Sequence, residues 1–170
     1  RVVDIMLAFP AVLLALAIMA ILGPSLTNVV IAVGISLIPG YVRVTRGCTL
    51  SVKEMDYVLA ARATGAGNIH IMVRHILPNV MLPLIVFTSL ELGGAIIFAA
   101  GLSFLGFGAQ PPTPEWGAML TTGRYYNRQA WWLPVFPGLA ITICVLAMNM
   151  LGDGLRDALD PHSGLMMRSK

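Results

Sequence analysis

Apolar positions in this chain gather into four long runs, at residues 5–22, 26–42, 80–107 and 131–151. A helix that crosses a bilayer needs roughly 17–25 predominantly apolar residues, so each run predicts a transmembrane span. The first is almost unbroken; Pro10 should kink or start its helix, and Gly23-Pro24-Ser25 should end it in a tight turn. A cleaved signal peptide is the weaker reading of that run, despite Ala15-Leu16-Ala17, because the apolar stretch exceeds the usual length. In the second run Pro39-Gly40 implies a bent or broken last turn, with Arg43 and Arg46 directly after it. The third is longer than a crossing requires, which implies tilt or an initial segment outside the hydrocarbon. It holds Pro83, Glu91 and Gly93-Gly94, and Ala95, Ala99 and Ala100 extend a small-residue face suited to close helix packing. Residues 108–130 are turn-rich, and Pro111, Pro112 and Pro114 predict no regular helix there. In the fourth run Pro134, Pro137 and Gly138 make the entrance irregular, Asp153 or Gly154 should break the helix, and Pro161 should end any short one beyond. The pattern as a whole predicts an all-α, polytopic membrane fold with about four spans.

The long polar interruption is YVLAARATGAGNIHIMVRHILP, residues 57–78. Small residues (Ala60, Ala61, Ala63, Gly65, Gly67), the cations Arg62 and Arg74, and a closing Leu77-Pro78 mark it out. It reads as two short helical pieces around a glycine hinge, since Gly65 and Gly67 accept positive φ and end helices readily. Asn68 is expected to cap the second piece, and Pro78 to start a new element. Ala60 and Ala61 remove bulk and let another surface approach the backbone. A polar helical hairpin between two spans has the character of a docking element.

Composition agrees with a membrane setting. Hydrophobic residues make up 57% of the chain and charged ones only 11%, and the mean hydropathy is +0.81. The pI of about 9.2 does not signal nucleic acid, because so few charges cannot form a basic face that tracks phosphates. Trp116, Tyr125, Tyr126, Trp131 and Trp132 suit the boundary between bilayer and water. Cys48 and Cys144 are isolated and imply neither disulfide nor metal spacing.

Four spans put Arg1, the 43–74 segment and the tail on one side. That side carries Arg1, Arg43, Arg46, Lys53, Arg62, Arg74, Arg156, Arg168 and Lys170, leaving Arg124 and Arg128 opposite. Lysine and arginine accumulate on the cytoplasmic side, so both ends and the 57–78 loop are expected there.

Leu59-Ala60-Ala61, then Gly65, then Leu77-Pro78, resembles the EAA loop (EAA-x3-G-x9-I-x-L-P) of permease subunits in bacterial ATP-binding-cassette importers. Leu59 stands in place of the pattern's Glu, and His75 in place of its Ile. Four further motifs follow in order: Leu102-Ser103-Phe104-Leu105-Gly106, Gln110 to Gly117 (QPPTPEWG), Phe136-Pro137-Gly138, and Gly152 to Asp157 (GDGLRD) with Leu159-Asp160-Pro161. Together they resemble, over essentially the whole chain, the C-type permease of the dipeptide, oligopeptide and nickel importers, a family that also includes glutathione systems. Members of that family are longer at the N-terminus, with about six spans, so the resemblance implies a fragment lacking the first two.

The resemblance implies a non-enzymatic transport subunit of the bacterial inner membrane. A second permease would complete the path, cytoplasmic ATPases would bind and hydrolyse ATP, and a substrate-binding protein would deliver a peptide. In that scheme Ala60, Ala61, Arg62, Gly65, Arg74, Leu77 and Pro78 engage an ATPase, and the chain itself holds no cofactor.

Other chemistries find little support in the residues. No G-x-x-x-x-G-K-[ST] phosphate loop occurs, and Leu105 spoils a G-x-S-x-G nucleophile pattern around Ser103. His70 and His75 lie five apart, off the i, i+4 spacing of a helical metal pair, and read as solvated or docking residues. Asp153, Asp157 and Asp160 resemble a calcium loop only in composition. Glu91 is the one carboxylate deep in a predicted span, which makes it a candidate for the translocation path or for a subunit interface. A channel subunit that needs no motor is the rival reading; it would pass solute without nucleotide and tolerate charge in the 57–78 loop.

Overall fold

The computed structural model describes residues 1–159, and its described elements are all helical. A short α1 (Val2–Leu7) leads into α2 (Ala11–Leu22) and the long α3 (Leu26–Lys53). After α4 (Asp56–Ala63) and α5 (Asn68–Ile71), a π turn (Met72–Ile76) runs straight into α6 (Leu77–Phe104). A short α7 (Trp116–Tyr125) and the long α8 (Trp132–Leu159) complete the order. The expected tail features at Asp160, Pro161, Arg168 and Lys170 lie outside the described residues.

Among the described residues three helices are long and apolar enough to cross a membrane: α3, the continuous 68–104 rod, and α8. The first apolar run departs from expectation. It is not one helix: Leu7 ends α1, and Pro10 serves as the N-cap of α2, leaving 12 apolar residues in that helix. A proline has no N–H to lose at a helix start, so the break falls in front of it. The turn between α2 and α3 is closed by side chains. Ser25 Oγ accepts from Asn28 N at 3.1 Å, and Asn28 Nδ2 donates to the Leu22 and Gly23 carbonyls at 2.8 and 3.0 Å. Both helix ends thus find partners for otherwise unpaired backbone groups.

Helices also persist where breakers were expected to stop them. α3 continues through Pro39-Gly40 to Lys53. The reason lies across the interface, where Gly40 leaves room for Phe87 of α6 and Tyr41 meets that ring edge-on at 5.0 Å. α8 runs through Pro137 and past Asp153-Gly154 to Leu159. Its Gly152 packs on Ser89 and Leu90 of α6, and Gly93 of α6 sits against Asn149 of α8. Small residues let these two backbones approach closely, and the contact holds the helical state that local propensity opposes.

α6 stops at Phe104, short of residue 107. Gly106 takes φ +93°, Phe107 N donates to Leu102 O at 3.1 Å, and Gly106 N donates to Ser103 O at 2.9 Å. This is a Schellman end that uses up the last carbonyls. Beyond it, the proline stretch does not exclude a helix, because α7 begins after Pro114. Glu115 caps α7, its carboxylate accepting from Gly117 N (2.9 Å) and Ala118 N (2.8 Å). Thr121 then ties α7 to the end of α6 by donating to Phe104 O at 2.6 Å.

Two buried clusters result. The larger joins Ala15, Met19, Val29, Ala32, Val33 and Leu102, with Ala95 and Ala99 of the small-residue face packed on it. The smaller lies under the hairpin and is described below. Much apolar surface faces outward, as at Ile143, Leu146 and Met150 of α8, which suits a lipid or protein surround rather than water.

The glycine contacts make a paired prediction. A Cβ on Gly117 would meet the Ala100 carbonyl at 2.5 Å and Ser103 Cβ at 2.8 Å, whereas one on Gly94 meets nothing within 4 Å. Gly117→Ala should therefore destabilise the full-length protein in detergent by about 1–3 kcal/mol, read as a lowered Tm, and Gly94→Ala should leave Tm unchanged or raised.

Candidate functional site

Residues 57–78 form the expected hairpin, with a defined joint. α4 ends with Thr64 as C-cap and Gly65 at φ +85°. Ala66 N donates to Ala61 O at 3.1 Å and Gly65 N to Arg62 O at 3.0 Å, the paired bonds of a Schellman turn. Thr64 Oγ1 adds a bond to Ala61 O at 2.9 Å. Gly65 has open space around it, so its requirement is conformational rather than steric: only glycine occupies that φ without strain. Gly67, not Asn68, holds the N-cap position of α5, with no side-chain cap bond; Asn68 is the first helical residue.

The hairpin is anchored from below by Val58 and Ile71, which pack with Val52 of α3 and Val80 of α6. Ala61, Ala66 and Cys48 pack against the same cluster. Ala60 and Ala61 therefore separate in role. Ala60 is exposed on the outer face, while Ala61 is half-buried against the chain's own core. Arg62, Gly65, Arg74, Leu77 and Pro78 are all exposed, and among the described residues neither arginine makes an ion pair. Ile69, at 75% relative exposure, projects furthest among the hairpin's large apolar residues. Sequence reading passed over the anchors Val58 and Ile71. Their only signal was an apolar residue one helical turn from small neighbours, which many surface helices share.

α6 begins at Leu77 with Pro78 in its first turn, as expected, but with no break before it. α5, the π turn and α6 form one uninterrupted rod. Pro78 nonetheless explains the π turn. Its ring crowds the carbonyl four residues back and supplies no N–H, so the chain widens there, and Leu77 N donates to Met72 O five residues earlier. Asn79 Nδ2 donates to His75 O at 2.7 Å, adding a donor where the proline removed one. The widening also brings Tyr57, His70 and His75 together: the His70 and His75 ring centroids are 5.8 Å apart, and those of Tyr57 and His75 are 6.2 Å apart.

Glu91 lies elsewhere, about 20 Å along α6 from Leu77 at 1.5 Å per residue. It is half-buried and lines a cavity of about 250 Å³ between the α1–α2 segment, α3 and α6, with Leu14, Leu37, Pro39 and Phe87 among its walls. Ser36 also borders this cavity, but its hydroxyl is engaged with Ala32 O at 2.8 Å. Among the described residues Glu91 makes no ion pair. No group of three or more His, Cys, Asp or Glu residues that could hold a metal occurs among the described residues.

The chain matches the family described as binding-protein-dependent transport system inner membrane component over residues 1–164. It is 55% identical over 161 residues to the di/tripeptide transport system permease protein DppC of Pseudomonas aeruginosa, covering 95% of this chain and 53% of that protein. Identity to the dipeptide transport system permease protein DppC of Escherichia coli K12 is 54%, over 95% of this chain and 54% of the relative. For the glutathione transport system permease protein GsiD of Escherichia coli O1:K1 it is 52%, over 95% and 53%. The chain thus spans about half the length of the curated relatives it matches. A helical hairpin with a glycine joint, seated on rods long and apolar enough to cross a membrane, now stands beside a match over nearly every residue, and the chain belongs to the family of inner-membrane components of binding-protein-dependent transport systems.

Proposed function

We propose that this chain forms part of the membrane pathway of an ATP-driven importer of di- or oligopeptides, and that the 57–78 hairpin is its contact with a cytoplasmic ATPase. In this reading a second permease completes the path, ATP binds and is hydrolysed on separate subunits, and a binding protein delivers substrate. The chain carries no catalytic group of its own. The hairpin and the end of α8 face the cytoplasm, in keeping with the distribution of lysine and arginine, and Arg1 joins them where the α1–α2 pair supplies a fourth crossing. Substrate chemistry is argued from the relatives: two are di- or tripeptide permeases and one is a glutathione permease, glutathione being itself a tripeptide.

The observation that carries the proposal is mechanical. The second arm of the hairpin is the start of a 37-residue rod, 68–104, that is long and apolar enough to cross the bilayer. The first arm is fixed to the end of α3 and to α6 through Val58, Val52, Ile71 and Val80. A push on the hairpin is therefore passed directly to two spanning helices rather than absorbed by a loop. ATPase closure would tilt these rods and alternate the access of the pathway. Ala60 and the exposed backbone near Gly65 permit close approach, while Arg62 and Arg74 remain available to acidic groups on the ATPase.

Two measurements on the full-length transporter test this. Gly65→Val forces a β-branched residue to φ near +85°, at a cost of about 1–2 kcal/mol or more, and Ala60→Glu places charge on the outer face without touching the core. Both should leave membrane insertion intact and lower ATP-dependent uptake by about tenfold while ATP hydrolysis continues; normal uptake in both would refute the docking role. In right-side-out vesicles, Ile69→Cys should react with a membrane-impermeant maleimide only after permeabilisation. Labelling of intact vesicles would reverse the proposed orientation.

A further inference from the structure

We infer that His70 and His75 form a binding site for one divalent transition-metal ion, of the kind that imidazole favours, such as copper or zinc. In a regular α-helix, residues five apart are turned by roughly 140° and face away from each other. Here the chain between them is a π turn over Met72–Ile76, bonded five residues back rather than four. The wider turn brings His75 back toward His70, with ring centroids 5.8 Å apart and the ring planes inclined by 65°. The spacing fits one shared ion. Metal–nitrogen bonds of about 2.0–2.1 Å put each ring centre about 3.2 Å from the metal, so two imidazoles at tetrahedral or wider angles have centres about 5–6 Å apart.

The surroundings permit such a site. His70 is exposed and His75 half-buried, so an ion can reach both rings from solvent. Tyr57 flanks His75, with ring centroids 6.2 Å apart and the planes tilted by 48°. Among the described residues no third His, Cys, Asp or Glu joins the group, so water completes the coordination and binding is reversible. Copper(II) should bind more tightly than zinc, following the general order of divalent affinities. The site spans the turn that joins the hairpin to its long rod, so an occupied site would stiffen that joint.

The test uses the full-length chain, free of affinity tags, in lipid nanodiscs, titrated with copper(II) and followed by calorimetry and electron paramagnetic resonance. One ion should bind per chain, with the spectral splitting of two imidazole nitrogens. His70→Ala and His75→Ala should each weaken binding by at least about tenfold and remove one nitrogen from the spectrum. Equal affinity in the His70 or His75 variants, or a spectrum without two nitrogens, would overturn the inference. Each readout is independent of uptake, so a failure here leaves the docking role of the hairpin untouched, and the reverse also holds.

Discussion

A backbone that crosses hydrocarbon has no water to bond with, and that constraint shapes every part of this chain. Long helices are the response, and their ends are where the difficulty concentrates. Several ends resolve it with a local device: Ser25 and Asn28 between α2 and α3, Gly65 after α4, Gly106 after α6, and Glu115 before α7. α3 passes Pro39 and α8 passes Asp153 because stopping would strand polar groups and break contacts with α6.

α6 is the member on which the others converge. It meets α3 through Phe87 and Tyr41, α8 through Gly93 and Gly152, and α7 through Ser103, Gly117 and the Thr121 bond. Its cytoplasm-proximal end, in the proposed orientation, is the hairpin itself. In the proposed reading, that continuity would let a surface element of some twenty residues act on the whole bundle. The π turn is the one irregularity in the rod, and it falls at the junction where the lever meets the span.

Much of this was legible beforehand. The all-α membrane architecture follows from four apolar runs, the hairpin from Ala60-Ala61, Gly65 and Leu77-Pro78, and the family from motifs spread along the chain. The joint at Gly65 was readable because positive φ has few other tenants. Other features had no local signature. That Ala61 faces inward while Ala60 faces outward depends on Val52 and Val80, which belong to other helices. α7 was hidden by the prolines before it, since the cap at Glu115 and the tether at Thr121 become decisive only once the end of α6 lies alongside.

Composition and periodicity alone determined that the chain is helical, apolar and interrupted once by a small-residue hairpin, because burial and backbone conformation are written residue by residue. Tertiary structure decided where helices stop and which face of the hairpin is free. Those outcomes depend on contacts between distant segments, where packing of a few glycines and rings outweighs propensities of about 1 kcal/mol per residue.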